Sequence, residues 1–185
     1  MATHAGYSVR PPGLAVHELV APRRLNAGVT IGLIGGLTMA VPLVVYDWVH
    51  AGHSALELPM AVTGWLFGLG HFVQNGYQWW PIVVGAALLA AYSMVSGLVF
   101  SGLADRVFSV RTLAGSLAAG VAWGIASFVV FWDVLLAIAR DGAPFRATAA
   151  SSVLVAPNWV WIVGFVAFGI AHGLAYRAIR DHATT

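Results

Sequence analysis

Four side chains near position 50 have the types and spacing that metal chemistry uses: Asp47, His50, His53 and Glu57. An offset of three places Asp47 and His50 on one helix face. His53 and Glu57 reach the same patch if the helix continues, or if the chain curls back after Gly52, where the missing Cβ permits a tight turn. Imidazole and carboxylate together suit zinc, copper or iron(II). Asp133, near the end of a later apolar run, would join them as a further ligand. The competing reading is a polar rim, with these groups hydrated at headgroup level. The rim is the favoured reading, because the loop is short and the sequence shows no groups fixed to orient the ligands.

His71 is a candidate of another kind. It follows Gly68 and Gly70 in a short apolar stretch, and haem iron accepts an axial imidazole. A bis-histidine haem would need a second His at similar depth. His172 is the other intramembrane His, and it lies toward the opposite end of its segment. No cofactor is therefore expected in this chain alone, a metal or haem being the lesser alternative, and His71 is read as a hydrogen-bonding group. Ser93, Ser96 and His172 do not pair in the manner of an intramembrane serine protease. No phosphate-binding glycine loop, metalloprotease helix or nucleophile elbow is present, and the chain is not expected to be an enzyme.

The elements that carry these residues follow from composition. The 185-residue chain is 59% hydrophobic and 9% charged, where a soluble domain is about 25% charged. Its basic residues are all Arg, and the net charge is +2, too little for a nucleic-acid-binding face. Cysteine is absent, which removes disulfides, thiolate metal sites and thiol catalysis.

Four stretches meet the roughly 20-residue apolar requirement of a membrane helix: 26–50, 81–104, 112–139 and 155–178. The first is too long for the core of a secretory signal and reads as a retained span. Pro81 suits a first helical turn, and Thr112 suits a helix cap. Pro42 is expected to kink the first span. The fold expected is an all-α four-transmembrane-helix bundle. Residues 1–25 form a cytoplasmic arm, mostly irregular or with a short surface helix over Leu14–Val20, and 26–180 form the membrane domain.

Within that domain, 51–80 is an outer-face segment. Its apolar part, Leu58–Phe72, holds Pro59, Gly64, Gly68 and Gly70 and is short for a span. It reads as an additional interfacial or re-entrant helix between the first two spans. Trp65, Phe67, Phe72, Tyr77, Trp79 and Trp80 give it an aromatic surface without evident cover from the rest of the chain. Those six are candidate contacts to other integral membrane subunits or to lipid. In the four-span arrangement seven of the nine arginines fall on one side, with Arg140 and Arg146 on the other. The positive-inside rule then puts both termini in the cytoplasm. Trp48, Trp79, Trp80, Trp132, Trp159 and Trp161 fall near the outer interface, as an aromatic belt does.

Small residues recur every four positions at Gly28, Gly32 and Gly36, at Ser116, Gly120 and Gly124, and at Gly169 and Gly173. Such stripes let helix backbones approach closely. The sequence shows no convincing internal repeat. Gly32–Ala40, Ala122-Trp123-Gly124 and Phe168–Tyr176 resemble the glycine motifs of small uncharacterised four-helix bacterial membrane proteins, some encoded near respiratory-chain components. The resemblance covers about 26–178 and carries no catalytic residue. The lack of a soluble domain, a charged pathway and a catalytic motif, beside helix-packing stripes and an outer segment in need of cover, points to a non-catalytic accessory subunit of a larger membrane complex, and the resemblance adds weight to a respiratory or other electron-transfer complex in the bacterial cytoplasmic membrane. The alternatives are a small homo-oligomeric transporter or channel, and a membrane metal- or haem-binding protein.

Overall fold

The computed structural model describes residues 14–52, 54–67, 78–108, 110, 112–130 and 156–183. All regular structure among them is helical: α1 Leu14–Ala51, α2 Glu57–Phe67, α3 Trp79–Arg106, α4 Leu113–Val129 and α5 Asn158–Ala183. Three helices are long and apolar enough to cross a membrane, over Leu25–His50, Trp79–Arg106 and Asn158–His182. α4 is apolar over a described length of 17 residues.

The helix ends follow local chemistry. α1 stops at Gly52, whose φ of 69° is the left-handed conformation that favours glycine after a helix. Thr112 is extended, and its hydroxyl accepts a hydrogen bond from the Gly115 N–H at 3.0 Å, capping α4. α3 begins two residues ahead of Pro81, which leaves the proline in the first turn, where its missing N–H costs nothing. The start of α1 departs from expectation. The helix begins at Leu14, as the short-helix reading has it, but runs unbroken through Pro22 into the first span instead of ending at Val20.

In packing order the helices run α2, α3, α1, α5, α4, with α1 touching both α3 and α5. α5 is the most enclosed of the three long helices. Outward, Leu33, Leu37, Val41 and Val45 form an exposed stripe along α1 at four-residue spacing, the face a lipid-bathed helix presents. Between helices the contacts are made by small residues. Gly97 of α3 lies against the backbone of Gly28 and Gly32, and Gly32 lies against the backbone of Ser93. A methyl group at Gly97 would meet main-chain atoms, which cannot turn aside. In lipid this backbone proximity is a main source of helix association, because apolar burial gives little.

The α4–α5 crossing repeats this arrangement. Gly173 lies against the backbone of Ser116, as Gly97 does against Gly28; Gly120 lies against Gly169, as Gly32 does against Ser93. The two hairpins, α1–α3 and α4–α5, therefore cross in one register. The chain does contain an internal structural repeat. It is carried by where small residues fall and not by sequence identity, which is why reading along the chain misses it.

Candidate functional site

The outer patch is not one surface. Asp47 is 2% exposed and Glu57 9%, whereas His50 is exposed and turned onto its own helix. The His50 ring stacks on Tyr46 with centroids 4.2 Å apart, and its Nδ1 lies 3.0 Å from the Tyr46 carbonyl. A helical offset of three leaves about 60° between side chains, enough here to put one inside and the other outside. Asp47 is thus an interior residue and not part of a hydrated rim. Among the described residues no three His, Cys, Asp or Glu side chains come together as a metal group. His53, Asp133 and His71 lie outside the described residues.

The described apolar part of the outer-face segment, α2, is covered on one side from within the chain. α2 packs along α3, burying Leu58, Met60, Ala61 and Thr63. The Thr63 hydroxyl donates to the Pro81 carbonyl at 2.6 Å. Gly85 admits the Pro59 carbonyl so closely that no side chain would fit between them. Of the aromatic candidates, Trp79 is 78% exposed and Trp80 is half-buried. Trp65 and Phe67 lie on α2; Phe72 and Tyr77 are outside the described residues.

The polar groups at the heart of the bundle are ones the sequence did not single out as a set. His172 on α5 is 0% exposed. Its Nδ1–H donates to the Phe168 carbonyl one turn earlier, at 2.8 Å, an assignment made from the acceptor it faces. A neutral ring so committed carries only a lone pair at Nε2. That nitrogen is buried and has no hydrogen-bond partner among the described residues. Phe168 lies 4.1 Å from the imidazole centroid and Phe100 lies edge-on at 5.4 Å. The remaining side is Gly35 of α1, where any Cβ would collide with the ring.

The repeat gives His172 a counterpart. Counting from the crossing glycines, Ser96 of α3 is the equivalent of His172, and Trp123 of α4 is the equivalent of Gly35. These two also meet: the Trp123 indole N–H donates to the Ser96 hydroxyl oxygen at 3.0 Å. Equivalent residues face each other directly at two further levels. Tyr92 stacks near Phe168 with centroids 6.4 Å apart, and Phe100 meets Tyr176 edge-on at 6.1 Å. Self-matching of equivalent positions is the signature of twofold symmetry. Because 92 pairs with 168 and 100 with 176, α3 and α5 run parallel and the pseudo-twofold axis lies along them.

The symmetry is broken at the two seams between hairpins. At the α1–α5 seam Gly35 lets the backbones close together around the imidazole. At the α3–α4 seam Trp123 occupies the corresponding place, and the two helices touch mainly through side chains. That wider seam is polar as well as aromatic, with a second hydrogen bond joining the hydroxyls of Tyr92 and Ser127. Farther along, the Tyr176 hydroxyl donates to Asp105 at 2.6 Å and Arg180 donates to the Val110 carbonyl, tying α5 to the end of α3 and the turn after it.

The one advance signal for this site was His172 itself, since an ionisable residue inside a membrane helix is rare and expensive. Gly35 gave none, because its role depends on a helix distant in sequence. These features define a helical membrane-protein bundle built from two alike hairpins. Comparison with protein-family models, curated proteins and solved structures gives no match.

Proposed function

We propose that the chain is a non-catalytic accessory subunit of a larger membrane assembly, of the respiratory or electron-transfer kind, in a bacterial cytoplasmic membrane. In this reading α4 continues beyond Val129 as the fourth span and both termini are cytoplasmic. The observation that carries it is the outer aromatic face: Trp79 projects from the start of α3 beside the platform that α2 makes on that helix, and Trp48 and Trp159 are also exposed. Large aromatic side chains held on a rigid base are favoured anchors for a partner. The glycine crossings supply that rigidity, since main chain pressed on main chain leaves little freedom to slide. The arginine distribution supports the orientation.

The test is purification of the tagged full chain in a mild detergent, followed by identification of what accompanies it. Stoichiometric membrane subunits bearing redox cofactors are the expected result, reduced at least severalfold by Trp79→Ala. A chain that elutes alone, or only with copies of itself, would overturn the accessory reading; the second result would favour a homo-oligomeric transporter or channel. Reporter fusions at Arg106 and at the C-terminus should both read cytoplasmic.

A further inference from the structure

At the equivalent position of the first hairpin, the polar group is satisfied from across its seam: Ser96 accepts the indole N–H of Trp123. At His172 the seam partner is Gly35, which has no side chain to give, and Nε2 keeps a buried, unused lone pair. Leaving such an acceptor unpaired is costly, because nothing repays its desolvation, and among the described residues no donor reaches it. Symmetry indicates what completes it, namely an aromatic ring carrying a hydrogen-bond donor, the counterpart of the Trp123 indole. The space beside Gly35 is filled by the imidazole itself, so such a ring must arrive by another route. The α3–α4 seam offers it, being the wide one, with hydroxyls at Ser96, Tyr92 and Ser127.

We propose that His172 is the hydrogen-bond acceptor of a binding site for a lipid-soluble phenolic head group, an alkylphenol or alkyl hydroquinone, admitted from the bilayer between α3 and α4. The hydroxyl donates to Nε2. The ring is received among Phe100, Phe168 and Tyr92. Haem is the less suitable occupant, because the Phe168 centroid 4.1 Å from the imidazole leaves no room for a macrocycle on that side. The site stands independently of any parent complex.

The experiment uses the full chain in phosphatidylcholine nanodiscs and two probes, dodecyl hydroquinone and its dimethyl ether, which has nearly the same shape and no donor. The hydroquinone should bind saturably at about one per chain and about tenfold more tightly than the ether, the worth of one buried hydrogen bond. His172→Asn keeps an amide N–H for the Phe168 carbonyl and deletes Nε2; it should remove that preference. Equal binding of the two probes, no saturable binding, or an unchanged preference in the variant would overturn the proposal. Should the variant fail to fold, the 15N resonance of Nε2 in the unaltered chain decides. A shift on adding hydroquinone and not ether supports the site, and a resonance that does not move refutes it. Haemin binding with a Soret band lost in His172→Asn would also overturn it, in favour of iron.

Discussion

The Cα of Gly35 on α1 lies against the Nδ1–Cε1 edge of the His172 imidazole on α5, so closely that the two residues occupy what would otherwise be one side chain's volume. Gly35→Ala therefore forces the ring or the helix to move. Overpacking of this kind costs about 1–3 kcal/mol. Thermal denaturation of the detergent-solubilised variant should show a clear loss of stability. Gly35→Ala combined with His172→Ala should recover part of it; a purely local helix effect would show no such recovery.

Glycines on α3 differ in what surrounds them. Gly97 faces the backbone of Gly28 and Gly32, whereas Gly102 has open space around its Cα. Gly97→Ala should be strongly destabilising. Gly102→Ala should be neutral or mildly stabilising, since alanine is favoured over glycine in a helix by up to about 1 kcal/mol. Equal effects at the two sites would mean that the α1–α3 crossing is not as close as described.

The Trp123–Ser96 hydrogen bond is one direct polar link across the wide seam. Trp123→Phe and Ser96→Ala should show a coupling of about 0.6 kcal/mol in a double-mutant cycle, the usual scale inside membranes. Additive effects would show that the indole N–H does not hold the seam.

Thr63 fastens α2 to the start of α3 through the Pro81 carbonyl. Thr63→Val keeps the shape and removes the donor, and should loosen that end of α2 by about 1 kcal/mol. Faster proteolysis within 52–78, with the rest of the bundle still resistant, is the expected readout.

Much of the local architecture could be read from residue type alone. The Thr112 cap, the reversal at Gly52, the place of Pro81 in a first turn and the small-residue crossings each depend on a few neighbouring residues. The burial of Asp47 could not be read in this way, because residues three apart share a broad helix face, and which edge of that face turns inward depends on helices distant in sequence. Nor could the cover that α3 gives α2, which depends on Gly85 meeting Pro59. The central site was the least legible. Its geometry comes from Gly35 and Trp123 standing at equivalent places with opposite size, and two such different residues give no hint of equivalence until the crossings have aligned them.

The unequal seams have a further meaning. Two identical hairpins meeting about a true twofold axis would be obliged to make both seams alike: two glycines and two close approaches, or two tryptophans and two gaps. Carrying both hairpins on one chain frees each copy to change by itself. One side, at Gly35 and His172, is closed as a hinge pin would be, and the other, at Trp123 and Ser96, is held ajar. A dimer of identical halves could not have become lopsided in this way. The bundle has a front and a back because its two hairpins lie on one chain and carry different residues at equivalent places.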